Sequence, residues 1–390
     1  MRSRKDIITL GGYFAALAGL GLTAATVGPT LPNLAAAAGV SLAQIGFLIF
    51  AQSFGGMFGS LLAGRLIDHG GGRSALIVSV LVMAGCLAWV PFFHSLILLS
   101  GVFFVIGAAQ GTIHTGSNTL LVWTRPEKAH SLLSVLHFSF GAGMVTAPLL
   151  VAWFLPLRAD GLFIYWVLAL ALLPVALVLT VSSHPSVPRM EKATQQHSSS
   201  RAALFWAIAL FFLYVGAEVN MSAWLYTYAV RAASFTPEVS AYLLTTFLGG
   251  FMVGRLLSIF MSTLINPTQY VSGGLLSGAV STVGMVAFSS QGGPYLWMSV
   301  AILGLSMAAV FPQAFAFVSK TLGLSGRRTA SLLIAGSFGG MLMPWLTGLW
   351  LDSVSAQALP IAVGLALGLA FISFQMMKRA AGQKLVDLLS

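Results

Sequence analysis

The sequence has few charged residues for its length. Of its 390 residues, 7% are Asp, Glu, Lys or Arg and 57% are hydrophobic. Soluble domains carry about 25% charged residues, so this composition excludes a soluble protein of this size. The apolar runs last about 20 residues or more, which suits membrane-spanning helices, and the roughly ten-residue alternation of an outer-membrane barrel is absent. The expected fold class is an all-α membrane protein.

Cysteine and catalytic motifs are scarce as well. The single cysteine, Cys86, lies inside an apolar run and excludes an internal disulfide framework. Neither a His/Cys/Asp/Glu cluster with metal-ligand spacing nor a phosphate-binding loop occurs, so we expect no catalytic residue, metal, cofactor or ATP-driven step. The net charge of +10 is spread over loops between apolar segments. Membrane topology explains this pattern better than nucleic-acid binding does.

The apolar runs predict twelve membrane spans. The first run follows a basic head, as in a signal peptide, but it is longer than a signal-peptide core and we expect it to be retained. The predicted spans are 7–30, 42–67, 74–93, 96–123, 130–155, 161–182, 202–230, 238–264, 269–290, 293–321, 327–351 and 356–378.

Basic residues predict the orientation of these spans. Seventeen of the 19 Lys and Arg residues fall on the side of the two termini, and only Arg158 and Arg231 fall on the opposite side. Because cytoplasmic loops are enriched in Lys and Arg, both termini are predicted to be cytoplasmic. The expected location is the cell's inner (plasma) membrane, with the bilayer as partner and the protein as a monomer.

The chain is predicted to consist of two six-helix halves. The halves are 1–182 and 202–390, joined by a polar cytoplasmic linker over 183–201 that is rich in Ser, Pro and Gln. GRLID at 64–68 is echoed by GRLLS at 254–258, and Gly107 by Gly304, at offsets close to half the length. Repeated halves around a central site are typical of secondary transporters.

The loop after the second predicted span reads GRLIDHGGGR, residues 64–73. It resembles the signature loop of the major facilitator superfamily, with Gly64, Asp68, Gly71 and Arg73 matching. The resemblance implies two pseudo-symmetric six-helix bundles and a gating role for these four residues, with Arg255 at the echoed position. Asp68 would hold the cytoplasmic side closed. The alternative is a tight glycine turn with a solvated Asp68.

Two further stretches resemble one branch of that superfamily. LHFSFGAGMVTAPLL at 136–150 and FLYVGAEVNMSAWLYTYAV at 212–230 are similar to fucose permeases and sodium-dependent glucose transporters. The resemblance implies a monosaccharide or polyol as the small-molecule substrate. The branch usually has a carboxylate in the first or fourth span, whereas here residues 7–31 contain none and the fourth span has His114 and Asn118.

Glu218 is the one acid deep inside a predicted span, sixteen residues from its start and twelve from its end. An ionised side chain at the bilayer centre costs about 3 kcal/mol, so Glu218 should face the bundle interior. It could carry a proton, bind a cation or accept hydrogen bonds from a substrate; the alternative is a structural acid between helices. Its nearest expected partners are His114 and His137.

A polar stripe in the fourth span completes the candidate substrate site. Gln110, His114 and Asn118 recur every four residues and therefore share one helix face. Further candidates are His137, Asn220, Trp224 and Gln313. These side chains suit a hydroxyl-rich solute, although small polar groups also join helices without binding anything.

The sequence thus predicts a secondary transporter that works by alternating access. Proton coupling through Glu218 is favoured, with sodium as the alternative ion. A proton-coupled exporter of hydrophobic cations is the competing interpretation, because the chain has 27 Phe and few polar groups. A membrane receptor or scaffold without transport is the interpretation from another class, and short termini and a short linker disfavour it.

Overall fold

The computed structural model describes residues 4–69, 71–157, 161–182, 201–261, 265–322 and 326–382. The predicted linker therefore lies outside the described residues, apart from Arg201. The described residues form fourteen α-helices, and twelve stretches of them are long and apolar enough to cross a membrane. The prediction of an all-α membrane protein with twelve spans is confirmed.

The chain divides into two compact units, Met1–Glu191 and Lys192–Ser390. The helices of the first unit are α1 (Arg4–Ala38), α2 (Leu42–Ile45), α3 (Phe47–Asp68), α4 (Gly72–Trp89), α5 (Leu96–Thr124), α6 (Ala129–Phe154) and α7 (Phe163–Thr180). Those of the second unit are α8 (Arg201–Ala232), α9 (Pro237–Met261), α10 (Pro267–Phe288), α11 (Pro294–Met307), α12 (Val310–Leu322), α13 (Gly326–Ser353) and α14 (Ala358–Ala381). Short 3₁₀ turns cover Val90–Phe92, Pro126–Lys128, Leu155–Leu157 and Ser289–Gln291.

Glycines bring α3 and α5 into backbone contact in the first unit. A Cβ added at Gly59 would overlap the Ala108 carbonyl oxygen, and one at Gly107 would overlap the Gln52 carbonyl oxygen. Gly55 and Gly111 meet the facing helix just as closely. Small residues spaced by four are what allow such close approach between membrane helices. The pair α3–α5 is the most extensive helix contact in the unit.

The second unit repeats this arrangement between α9 and α11. A Cβ added at Gly304 would overlap the Phe247 carbonyl oxygen, while Gly250 and Gly254 face α11 with 2.8 Å between an added Cβ and the nearest carbonyl oxygen. Gly107 and Gly304, which the internal repeat pairs, therefore have the same packing role in their own units. The long helix α8 packs mainly against α13 and α14.

The tenth predicted span, 293–321, is two helices rather than one. Helix α11 ends at Met307, Ala308 and Ala309 form a turn, and α12 begins at Val310. Pro312 explains the break, because proline has no N–H to donate to the carbonyl four residues earlier and its ring clashes with that carbonyl. The predicted span is confirmed as Pro294–Leu322, but a break divides it into two helices.

The first helix extends further than the sequence predicted. The sequence predicted its end at residue 30, yet α1 runs through Pro29 and Pro32 to Ala38. Membrane helices tolerate proline where neighbouring groups satisfy the freed backbone. Thr30 lies between the two prolines and its hydroxyl contacts the Tyr165 hydroxyl of α7 at 2.7 Å. This contact supports the continuation of α1 beyond its prolines.

Candidate functional site

Glu218 lies near the middle of α8, 17 residues after Arg201 and 14 before Ala232. At 1.5 Å per residue it is about 20 Å or more from either end of the helix. Its side chain is 26% exposed, so it is largely enclosed by the second unit but still reachable. Tyr214 is four residues earlier on the same helix face, and its hydroxyl lies close to the Glu218 carboxylate.

Arg255 of α9 is the charged partner of Glu218. Its Nη2 atom lies 3.9 Å from Glu218 Oε1, and its guanidinium carbon lies 4.5 Å from the centre of the Phe251 ring. The sequence suggested His114 and His137 as the nearest partners of Glu218, whereas the structure pairs it with Arg255 inside the second unit. The signal was present, since Arg255 interrupts the apolar stretch FMVGRLLSIF. The gating role of Arg255 stays a prediction.

The break between α11 and α12 lies beside this pair. Arg255 Nε donates to the Ala308 carbonyl at 3.4 Å, and the Tyr214 hydroxyl donates to the Met307 carbonyl. Glu218, Arg255 and the backbone of a discontinuous helix therefore meet in one place. Discontinuous helices with exposed carbonyls are a recurring element of transporter binding sites.

Two other candidates on α8 face different neighbours. Asn220 is 1% exposed and donates from Nδ2 to the Thr347 hydroxyl of α13 at 2.8 Å. Trp224 is fully buried and donates from Nε1 to the Pro344 carbonyl at 2.7 Å. These contacts give both residues a role in packing α8 against α13. Gln313 lies half-buried in the first turns of α12, just past the break.

Gln110 joins three helices of the first unit. Its amide oxygen accepts from Gln52 Nε2 of α3 at 2.8 Å, and its amide nitrogen donates to the Thr23 hydroxyl of α1 at 3.0 Å. Both ends of the amide are therefore engaged within the protein. This is the helix-joining role that the sequence left open as the alternative.

His114 and His137 lie close together in the first unit. Their ring centres are 6.1 Å apart, across α5 and α6, and His114 is exposed on the surface of the unit. Asn118 is half-buried and donates to the backbone carbonyl of His114 at 2.7 Å. His114 is thus the residue of this stripe that is most exposed within its unit.

The signature loop has an exposed acid. Asp68 is the last residue of α3 and makes no ion pair with a described residue of its own unit. Gly71 closes the turn by donating its N–H to the Leu66 carbonyl at 2.8 Å. An added Cβ at Gly64 would meet nothing within 4 Å, so packing inside the unit does not require glycine there.

Arg73 has a defined structural partner. Its Nε donates to the Leu179 carbonyl at 3.1 Å, one residue before the end of α7. The last carbonyls of a helix lack intrahelical donors and form the negative end of the helix dipole, so an arginine there is favourable. Arg73 therefore fastens the start of α4 to the end of α7.

An ion pair between the ends of α1 and α5 was not anticipated. Arg125 Nη2 lies 2.5 Å from Asp6 Oδ2, and Arg125 Nη1 lies 3.5 Å from Glu127 Oε1. In the sequence these three residues fall separately in loops or helix ends. Pairing between helix ends depends on how the helices pack, which the sequence pattern does not report.

Comparisons with known proteins agree with this architecture. The family model of the Major Facilitator Superfamily matches residues 12–331. A sodium-dependent glucose transporter 1 from Xenopus laevis is 28% identical over 354 residues, covering 83% of this chain and 72% of the relative. Among solved structures, the nucleoside transporter NupG superposes with a TM-score of 0.73 at 15% identity, covering 96% of this chain and 100% of that one.

A solved structure from the branch that the sequence resembles also shares this fold. The E. coli fucose:proton symporter FucP, solved as a single-site variant, superposes with a TM-score of 0.62 at 18% identity, covering 96% of this chain and 99% of that one. At such identities the structural likeness concerns the fold. The family match over most of the chain goes further: the protein is a multi-pass membrane transporter that belongs to the Major Facilitator Superfamily.

Proposed function

We propose that this transporter moves a monosaccharide or a related polyol across the membrane together with protons, and that Glu218 is the coupling group. The observation that carries the proposal is a carboxylate in the middle of a membrane helix, partly accessible and adjacent to a guanidinium. Intramembrane acids are costly and mark ion or substrate pathways. The named sugar transporters among the relatives support the substrate class.

The chemistry of the Glu218–Arg255 pair suits neighbouring hydroxyl groups. A carboxylate accepts hydrogen bonds from hydroxyl protons, and a guanidinium donates to hydroxyl oxygens. A sugar ring offers both on adjacent carbons, so one molecule can engage both side chains at once. Within the first unit, His114 and His137 are the residues that we propose for solute binding. Gln110 holds α5 against α3 and α1, and Asn118 bonds within α5 beside His114.

Proton coupling follows from what a proton does to the pair. Protonation of Glu218 removes its negative charge and releases Arg255 to other acceptors, whereas deprotonation restores the ion pair. A solute that needs the guanidinium free would therefore bind together with a proton. This gives the transporter a physical reason to move both in the same direction.

Sodium is the second candidate ion. The Xenopus relative is named for its sodium dependence, which favours it. The guanidinium of Arg255 beside Glu218 opposes a further cation at this carboxylate, which favours the proton. The same charge argues against a site for hydrophobic cations. The exporter interpretation therefore ranks below sugar uptake.

Uptake into proteoliposomes tests the proposal. Labelled monosaccharides, polyols and a cationic dye are offered under an imposed pH gradient, an imposed sodium gradient or no gradient. We expect a sugar or polyol to accumulate under the inward proton gradient alone. Accumulation only with sodium would transfer the coupling to that ion, and transport of the dye without any sugar would contradict the substrate class. The inner-membrane location and cytoplasmic termini remain predictions, which labelling of cysteines placed in 190–200 from either face can test.

A further inference from the structure

The break between α11 and α12 leaves backbone carbonyls without their usual helical donors. Residue 312 is proline, so the Ala308 carbonyl receives no N–H from four residues ahead. Helical bonding resumes beyond the break, where Gln313 N–H donates to the Ala309 carbonyl at 3.1 Å. Inside a membrane an unsatisfied carbonyl costs several kcal/mol, so other groups must compensate.

Side chains from two other helices reach these carbonyls. The Tyr214 hydroxyl of α8 donates to Met307, and Arg255 Nε of α9 donates to Ala308. Tyr214 is fully enclosed, at 1% exposure. The break is thus stabilised by side chains that also surround Glu218.

The guanidinium of Arg255 lies between two acceptors without a close bond to either. Its Nε atom lies 3.4 Å from the Ala308 carbonyl oxygen, and its Nη2 atom lies 3.9 Å from Glu218 Oε1. A well-formed N–H···O bond is about 2.9 Å, so either contact can shorten at the expense of the other. The Phe251 ring lies against the guanidinium, with 4.5 Å between the guanidinium carbon and the ring centre.

We propose that Arg255 is a positioning residue that links the state of Glu218 to the bend between α11 and α12. When Glu218 is ionised, it attracts the guanidinium away from Ala308. When a proton neutralises the carboxylate, Arg255 moves onto the Ala308 carbonyl and α12 changes its angle to α11. The transport consequence rests on the proposed role of Glu218, whereas the structural link does not.

The charged and titratable groups around Glu218 are few among the described residues. Arg255 comes from α9 and Tyr214 from α8 itself, and Tyr270 of α10 is near enough to Tyr214 to interact with it electrostatically. Arg255 is the cation among them. It is therefore the group through which a change of charge at Glu218 reaches the break.

A distance measurement across the break tests the link without any solute. In the full-length protein with Cys86 replaced by Ser, spin labels at Ile302 of α11 and Lys320 of α12 occupy exposed positions. A straight helix would place these positions about 27 Å apart, within the range of pulsed electron paramagnetic resonance. We expect Glu218→Gln to shift the mean distance, and the same change to cause no further shift in an Arg255→Gln background. An unchanged distance in Glu218→Gln, or an equal shift without Arg255, would overturn the inference.

Pro312→Ala supplies a second test that leaves the charged residues intact. Alanine returns an N–H to the Ala308 carbonyl, so the distance should lengthen toward the straight-helix value and lose its response to Glu218→Gln. Pro174→Ala is the matched control, because Pro174 lies within the continuous helix α7 of the other unit. It should leave both the distance and its response to Glu218→Gln unchanged. A Pro312→Ala protein that still responds to Glu218→Gln would contradict the role of the freed carbonyl. These experiments measure a distance and no transport, so they test the structural link even if the proposed sugar transport is wrong.

Discussion

Arg255 of α9 and Glu218 of α8 form an ion pair in the interior of the second unit, with 3.9 Å between Nη2 and Oε1. Their side chains are 35% and 26% exposed, so part of the attraction is screened where water enters. Removing one partner leaves the other charge enclosed, which is the costly half of such a pair. The two single variants should therefore behave differently from the double variant.

Glu218→Gln should abolish gradient-driven accumulation of substrate while solute exchange survives. The amide keeps the size and most of the hydrogen bonding of the carboxylate but cannot take up a proton, and exchange requires no net proton movement. Accumulation and counterflow in proteoliposomes measure the two activities. Glu238→Gln is the control, since Glu238 lies in the first turn of α9. Loss of solute binding in Glu218→Gln would make binding, rather than proton coupling, the main role of Glu218, and full accumulation would contradict the coupling role.

Arg255→Gln should admit organic cations to the site. It leaves the Glu218 carboxylate without its counter-ion, so the carboxylate can attract a cationic solute. About 1.4 kcal/mol of such attraction is enough for a tenfold gain in affinity for the cation. We expect dye uptake to rise tenfold or more in Arg255→Gln and to fall back in Arg255→Gln/Glu218→Gln. Arg231→Gln removes an arginine paired with Asp352 at the end of α8 and serves as control. Equal dye uptake in the single and double variants would contradict the charge argument.

Asp68→Asn should slow transport with little effect on solute binding. This follows from the gating role implied by the signature loop, because the amide loses the charge-assisted contacts that a carboxylate makes in one state of the transport cycle. Initial uptake rates and equilibrium binding of the same labelled sugar separate the two effects. Transport at the wild-type rate would leave Asp68 as a solvated turn residue.

Arg73→Gln should destabilise the first unit rather than alter gating alone. The Leu179 carbonyl loses one of its donors, while the Ser182 hydroxyl and N–H still reach it, so we expect the net cost of a typical hydrogen bond, about 0.5–1.5 kcal/mol. Thermal unfolding in detergent should show a lower midpoint for Arg73→Gln than for Arg65→Gln, whose side chain is exposed on α3. Equal midpoints would show that the contact with α7 contributes nothing to stability.

Gly59→Ala should be far more damaging than Gly64→Ala. The added Cβ at Gly59 would overlap the Ala108 carbonyl, which forces α3 and α5 apart, whereas Gly64 has open space. Overpacking of this kind costs about 1–3 kcal/mol or more. Gly64→Ala should be neutral or slightly stabilising, because alanine favours the helix. The unfolding midpoints of the two purified variants provide the measurement.

Composition and apolar run length were sufficient for the number of spans and the fold class, because a bilayer requires helices of a given length and satisfies no backbone groups itself. The break at Ala308 and Ala309 was missed because hydropathy does not distinguish one helix from two in line. Pro312 gave a local signal, yet Pro29 and Pro32 lie in a helix that continues. Whether neighbouring side chains satisfy the freed carbonyls decides between these outcomes, and that depends on tertiary packing.

The depth of Glu218 in the membrane could be predicted from its distance to both ends of its span, but its partner could not be predicted. The rotation of α9 about its axis determines which helix Arg255 faces, and a mostly apolar helix gives little periodicity from which to infer that rotation. For the same reason Asn220 and Glu218, two residues apart, were grouped in one site. A separation of two positions turns a helix by about 200°, so the two side chains reach α13 and α9 respectively.

The backbone contact between α3 and α5 also fixes their register. Sliding one helix along the other would bring a residue with a Cβ opposite a carbonyl that now faces glycine, as at Gly55 and Gly111. Phe54 and Phe58, which follow each other by one turn on α3, both contact the Phe104 ring of α5. The close backbone contact therefore opposes sliding of α3 along α5, and we expect the two helices to move together.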